Sequence, residues 1–136
     1  MNSQVLVIED NLVNLELVTD LLEANEFRVV QAHTAEEGLR LARALVPDLV
    51  LMDLSLPGMD GLAATKAMKS DPTTSHVPVV ALTAHAMRGD EAAALKAGCD
   101  GYLSKPIDTR TFPARVGEFI ATAKSRYSKP STLKSS

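Results

Sequence analysis

Five side chains that could do chemistry follow four separate apolar segments of this 136-residue chain. Glu9 and Asp10 come directly after one segment, and Asp53 ends another. Thr83 ends a third segment, and Lys105 follows a fourth. If those segments are parallel strands of one sheet, their carboxyl ends share an edge, and the five side chains meet there. The sequence therefore predicts a site that combines three carboxylates, a hydroxyl and an amine.

Three carboxylates in one pocket repel each other unless a positive charge is present. Lys105 and a bound metal ion are the cheapest counter-charges. Oxygen-only ligands favour Mg²⁺, and the three histidines are too scattered in the sequence for a zinc site. An Asp carboxylate can also act as a nucleophile and form an acyl phosphate. The site therefore suits phosphoryl transfer, with the phosphoryl oxygens held by Mg²⁺, Lys105 and Thr83.

Strand-like and helix-like segments alternate along the chain. The first, third and fourth strand-like segments are nearly continuous aliphatic runs, which is typical of strands covered on both faces. The second is less apolar and is expected at an edge of the sheet. The alternation predicts an α/β fold with a parallel sheet and right-handed crossovers. The predicted strands are 4–9, 27–32, 48–53, 78–83 and 101–104.

The predicted helices lie between these strands. Thr34 and Glu37 form a capping-box pattern at the start of the second helix. The fourth helix, over about 86–97, has few large apolar residues, so we expect it to be the least firmly packed. The fifth is expected to begin near 109–111, because Pro113 must lie in its first turn.

Composition limits the classes of function. The net charge of −3 and an aromatic content of 4% argue against a basic face or a stacking platform for nucleic acid. The longest apolar runs are too short to cross a bilayer. The single Cys99 fits a reducing compartment, most simply the cytoplasm. We expect one domain over 1–123 and a flexible, polar and basic tail over 124–136.

The residues at the predicted edge resemble those of the receiver domain of two-component response regulators. The resemblance covers about residues 4–123 and implies a flavodoxin-like, doubly wound (βα)5 fold with strand order 2-1-3-4-5. It rests on Glu9-Asp10, Asp53 with Leu54-Ser-Leu-Pro57-Gly-Met-Asp60-Gly61, Thr83-Ala84 and Lys105-Pro106.

The resemblance also implies roles for single residues. Asp53 would be the phosphoacceptor, and Thr83 and Lys105 would hold the phosphoryl group. Tyr102 would be an aromatic switch whose ring turns inward as Thr83 moves. The bond between Lys105 and Pro106 is expected to be cis.

The same resemblance implies a set of metal ligands. Asp10 and Asp53 would bind Mg²⁺ directly, together with the backbone carbonyl of Ser55. Glu9 would act mainly through water.

The implied function is that of a single-domain response regulator, which is a signalling protein and not an enzyme beyond its own phosphorylation and dephosphorylation. The donor would be a histidine kinase or a histidine phosphotransfer protein. The surface of the fourth helix, fifth strand and fifth helix would control a protein partner. The protein itself would be a monomer or a dimer that forms on activation. Because the segment 83–91 is also common in hybrid kinases, a receiver excised from such a kinase stays open.

Three other readings start from the same residues. A haloacid-dehalogenase-type phosphatase needs a second Asp two residues after the nucleophile, where this chain has Ser55. A flavodoxin-like electron carrier needs a hydroxyl-rich phosphate loop in place of Glu9-Asp10-Asn11, and aromatic residues around the flavin. A phosphate-independent binding module is the stronger rival, although its pocket would normally be damaged.

Overall fold

The computed structural model describes residues 2–54, 61–83 and 90–134. Within these ranges, five strands alternate with five helices. The strands are β1 (Gln4–Ile8), β2 (Arg28–Ala32), β3 (Leu49–Asp53), β4 (Val79–Thr83) and β5 (Gly101–Ser104). The helices are α1 (Leu12–Ala24), α2 (Ala35–Leu45), α3 (Gly61–Ser70), α4 (Asp90–Ala97) and α5 (Phe112–Lys134).

The strands form one parallel sheet in the order β2-β1-β3-β4-β5. This confirms the predicted doubly wound α/β fold and the edge position of β2. Every residue of β3 and of β4 is buried, which agrees with their uninterrupted aliphatic sequences. A strand that is covered by helices on both faces has no solvent-facing positions for polar residues.

Side chains alternate between the two faces of the sheet and build two cores. On one face, residues such as Ile8 and Met52 pack with buried residues of α2, α3 and α4. On the other face, residues such as Val7 and Leu51 pack with buried residues of α1 and α5. The three central strands are therefore held from both sides, and their carboxyl ends are fixed in space.

Polar side chains define the starts of two helices. Thr34 Oγ1 accepts a hydrogen bond from the backbone N–H of Glu37 at 3.1 Å, and Glu37 Oε1 accepts one from the N–H of His33 at 2.8 Å. The predicted cap is confirmed, although the Glu37 side chain reaches one residue further back than in the usual capping box. Asn11 Oδ1 accepts from the N–H of Asn14 at 3.0 Å and caps α1. That cap was not predicted.

Helix α4 differs in detail from its prediction. It begins at Asp90, and the predicted residues 86–89 lie outside the part of the chain that the structure describes. Leu95 is 51% exposed, whereas Ala94 and Ala97 are buried. Small side chains therefore make the contacts of this helix with the core, and its weak packing stays a prediction.

Helix α5 extends past the predicted domain boundary at 123. Its backbone remains helical to Lys134. Among the α5 side chains that the structure describes, which end at Ser125, Ala123 is the last buried one. Extending an existing helix costs much less than starting one. The division into a domain of 1–123 and a flexible tail of 124–136 stays a prediction. Among the described residues, no helix is both long and apolar enough to cross a membrane.

A lysine ties several elements together at the amino-terminal edge of the sheet. Lys69 Nζ, at the end of α3, donates to the carbonyl oxygen of Val77 and to Asp100 Oδ2, each at 2.8 Å. Asp100 Oδ2 also accepts from the N–H of Val79, the first residue of β4, at 2.8 Å. These bonds connect α3, β4 and the turn that follows α4.

Candidate functional site

The register of the strands brings the predicted site residues to one edge. Ile8 pairs with Met52, so the next residues along these neighbouring strands, Glu9 and Asp53, lie level with each other. On the other side, Asp53 pairs with Leu82, the residue before Thr83. The N–H of Lys105 donates to the carbonyl oxygen of Thr83 at 2.8 Å. All of these residues thus meet beyond the carboxyl ends of the central strands.

The three predicted carboxylates form a cluster. Glu9, Asp10 and Asp53 each offer an oxygen within 4.8 Å of the other two. Glu9 and Asp53 are each 1% exposed, whereas Asp10 is exposed to solvent. The buried Glu9 Oε1 has no hydrogen-bond partner. Hard oxygen donors at this spacing, with one of them unsatisfied, fit a Mg²⁺ ion. The predicted ligand Ser55 lies outside the described residues.

Lys105 supplies the positive charge of this cluster. Its Nζ donates to Asp53 Oδ1 at 3.0 Å and lies 3.3 Å from Glu9 Oε1. The second contact is an ion pair whose alignment does not make a hydrogen bond, which is why Oε1 remains unsatisfied. The Lys105 side chain is 18% exposed, so solvent screens these contacts only in part.

Burial and crowding change the proton affinities of the cluster. Burial, followed by the hydrogen bond to the Asp53 carboxyl and the charge of Asp53, raises the pKa of Glu9 from 4.5 to about 7. Burial alone would lower the pKa of Lys105, but its hydrogen bond with Asp53 and the charges of both carboxylates outweigh that and raise it. Near neutral pH, Glu9 is thus close to its midpoint of protonation, while Lys105 stays charged.

Thr83 and Tyr102, the two predicted switch residues, lie on the same face of the sheet. Tyr102 pairs with Ala81, which is two residues before Thr83 on β4, and side chains two residues apart on a strand share a face. Thr83 is buried and Tyr102 is half-buried. A cavity of about 460 Å³ is lined by Tyr102 and by residues of β5, the following loop and α5. The bond between Lys105 and Pro106 is cis, which confirms that prediction.

The structure shows an apolar patch that sequence reasoning missed. Leu12, Val13 and Leu17 of α1 are 68%, 77% and 41% exposed. They follow Asp10 closely, and Leu17 lines a cavity together with Glu9 and Lys105. A signal was present in the sequence, because these three residues fall outside the stripe through Leu15, Val18 and Leu22 that α1 buries.

The fold and the acidic site together define a receiver of two-component signalling. The chain belongs to the response regulator receiver domain family, whose model matches residues 5–117. The polar-differentiation response regulator DivK of Brucella ovis is 41% identical over 123 residues, which are 90% of this chain and 100% of that protein.

Solved structures agree with this assignment. The receiver domain of a sensor histidine kinase from Pseudomonas aeruginosa PAO1 is 31% identical, with a TM-score of 0.83 over 89% of this chain and 99% of that chain. That structure has a magnesium ion coordinated in its active site cleft. The receiver domain of response regulator 1452 from Francisella is 26% identical, with a TM-score of 0.83 over 90% of this chain and 100% of that chain.

These similarities confirm the resemblance that the sequence carries. Receiver domains bind Mg²⁺ at an acidic pocket, and they interact with histidine kinases and with downstream targets. The similar proteins include DivK, which is a response regulator, and a receiver domain that is part of a sensor histidine kinase. A receiver excised from a hybrid kinase therefore stays open as an alternative.

Proposed function

We propose that Asp53 accepts a phosphoryl group from a histidine kinase or a histidine phosphotransfer protein in a Mg²⁺-dependent reaction. One observation carries this proposal. Asp53 is a nearly buried carboxylate at the end of β3 that lies within 4.8 Å of two other acids and 3.0 Å from the ammonium group of Lys105. Such a group is held in a fixed orientation at the edge of the sheet, and its charge is partly neutralised by Lys105.

The proposed step is a transfer between two nucleophiles. An oxygen of Asp53 attacks the phosphorus of a phosphohistidine, and a P–O bond forms as the P–N bond breaks. The imidazole nitrogen keeps the electron pair of the broken bond and takes up a proton. Lys105 Nζ, already at Asp53, is placed to contact a phosphoryl oxygen, and the hydroxyl of Thr83 on the neighbouring strand is proposed to hold another.

The acids of the cluster would hold the metal ion. Asp10, Asp53 and the backbone carbonyl of Ser55 would bind it directly, and Glu9 would act through water. When bound, Mg²⁺ would neutralise charge on the phosphoryl oxygens and on the carboxylates.

We propose that phosphorylation shifts an equilibrium between two packings of the domain. The hydroxyl of Thr83 moves toward the phosphoryl group, and the ring of Tyr102 fills the space that it leaves. The surface of α4, β5 and α5 then changes and controls a protein partner. The shared face of Thr83 and Tyr102 supports this coupling.

A single-domain regulator in the cytoplasm is the role that these observations favour. This chain covers the whole of its relative DivK, a response regulator, and its described cysteine, Cys99, is free and buried. A phosphate-independent binding module would not need the pairing of Lys105 with both buried carboxylates.

The first test is the intact mass of the protein after incubation with Mg²⁺ and acetyl phosphate. We expect the wild type to gain one phosphoryl group, because the Asp53 carboxylate is the nucleophile, and we expect Asp53→Asn to gain none. Asp20→Asn, which removes an exposed carboxylate from α1, should behave like the wild type, and a chelator should stop the reaction. A phosphoryl group on Asp53→Asn, or none on the wild type after Mg²⁺ binding is verified, would favour the phosphate-independent module.

A further inference from the structure

Gly61, the first residue of α3, touches the backbone of the residue that carries the proposed chemistry. A Cβ added to Gly61 would lie 2.8 Å from the carbonyl oxygen of Asp53. It would also lie 3.1 Å from side-chain carbons of Met52 and Leu54. A carbon atom does not fit at 2.8 Å from a carbonyl oxygen, so any other residue at this position must move either α3 or the end of β3.

Gly61 is required for space and not for backbone conformation. Among the glycines that the structure describes, Gly98 is the one with a positive φ, at 109°. Gly61 opens α3, and the preference for alanine over glycine in helix interiors does not apply at a first residue. The observation that accounts for the absent side chain is the Asp53 carbonyl oxygen, which would lie 2.8 Å from a Cβ.

Neither side of this contact is free to move away. The N–H of Leu54 donates to the carbonyl oxygen of Leu82 at 3.1 Å, which holds the end of β3 against β4. On the helix side, Ala64 and Met68 of α3 are buried in the core against the sheet. Since both partners are held, a shift forced by a new Cβ would be passed on to Asp53.

We propose that Gly61 is a positioning residue for Asp53, whose missing side chain lets the start of α3 seat against the phosphoacceptor. The inference rests on the proposed function. A displacement of a few tenths of an ångström is enough to relieve the contact. Errors of about 1 Å in the placement of reacting groups cost as much as a hundredfold in rate, so the smaller shift is expected to cost roughly tenfold.

The test compares Gly61→Ala with Gly117→Ala. A Cβ at Gly117, on α5, would be 3.9 Å from the nearest atom, a carbon of the Phe27 ring, and should fit without strain. Phosphoryl uptake from acetyl phosphate is followed by intact mass, and Mg²⁺ affinity by calorimetry. We expect Gly61→Ala to lower the saturating rate roughly tenfold and to weaken Mg²⁺ binding, while Gly117→Ala changes neither.

A residue that serves only stability would behave differently. In that case Gly61→Ala would lower the unfolding temperature but leave the saturating rate and the Mg²⁺ affinity of the folded protein at wild-type values. That result would overturn the proposal. If Gly61→Ala does not fold in buffer alone, all variants are compared in an osmolyte such as trimethylamine N-oxide, which favours the folded state. A wild-type rate for Gly61→Ala under those conditions would equally overturn the proposal.

Failure of the proposed function can be told apart from failure of this inference. If the wild type takes up no phosphoryl group, the proposed function fails, and the Mg²⁺ affinities of the variants still report the placement of Asp53. If the wild type reacts and Gly61→Ala reacts equally fast, the inference about Gly61 fails and the proposed function stands.

Discussion

The metal-free protein is expected to lose about 3 kcal/mol of its free energy of unfolding as pH rises from about 4.5 to above 7. The cause is Glu9, whose pKa is raised from 4.5 to about 7 in the folded protein by burial and by the neighbouring Asp53. Ionising this buried carboxyl beside a second carboxylate is costly in the folded chain and costs nothing extra in the unfolded chain.

The sign follows from proton binding. Between pH 4.5 and about 7, the folded protein holds a proton on Glu9 that the unfolded chain has released. The stabilising contribution is therefore fully present below pH 4.5 and is lost as pH rises through 7. The lowered pKa of Asp71, which arises mainly from the N–H of Thr73 and from Arg43, acts at more acidic pH. The raised pKa of Lys105 acts at alkaline pH.

Urea unfolding at pH 5 and at pH 8, with a chelator present, measures this loss. Glu9→Gln should remove most of the difference between the two pH values, whereas Glu23→Gln, on the exposed side of α1, should keep it. Mg²⁺ should reduce the loss in the wild type because the ion stabilises the ionised cluster. An equal loss in Glu9→Gln and in the wild type would show that another group is responsible.

The Lys105→Ala variant is expected to take up a phosphoryl group about a hundredfold more slowly than the wild type. Lys105 Nζ lies 3.0 Å from Asp53 Oδ1 and 3.3 Å from Glu9 Oε1. The substitution removes the ammonium group that lies beside two buried carboxylates. It also removes a proposed contact for the incoming phosphoryl oxygens. Both losses raise the barrier, because negative charge is brought to a site that is already acidic.

A time course of intact mass with saturating acetyl phosphate and Mg²⁺ measures this rate. Lys66→Ala is the matched control, since Lys66 is an exposed lysine of α3, and it should react like the wild type. Lys105→Arg keeps the charge but changes its shape, and it should fall between the two. A rate for Lys105→Ala within a factor of three of the wild type would contradict this role for the ammonium group.

The strand ends were predictable because each central strand is an aliphatic run that stops abruptly at a polar residue. That pattern placed Asp53 and Thr83 correctly at the edge of the sheet, and the order of the strands followed from the family resemblance. Long-range contacts were not predictable in the same way. The approach of Gly61 to the carbonyl oxygen of Asp53 depends on how α3 seats on β3, which no local pattern records.

Two features of the helices were not predicted. Helix α5 continues past the predicted domain boundary at 123, where the sequence has no apolar stripe. Leu95 is exposed, whereas the smaller Ala94 and Ala97 are buried, so α4 contacts the core through alanines. A search for large apolar residues overlooks a helix that packs in this way.

The bonds of Lys69 and Asp100 hold the turn after α4 against α3 and the start of β4. These bonds therefore fix the carboxyl-terminal end of α4, near Ala97. We expect Lys69→Ala to speed amide hydrogen exchange near Ala97, whereas Lys66→Ala, at an exposed lysine of α3, should not, and equal exchange in both variants would rule out this role of Lys69. If the proposed phosphorylation displaces Thr83, α4 is expected to pivot about this fixed end, so the backbone at Asp90 would move further than the backbone at Ala97.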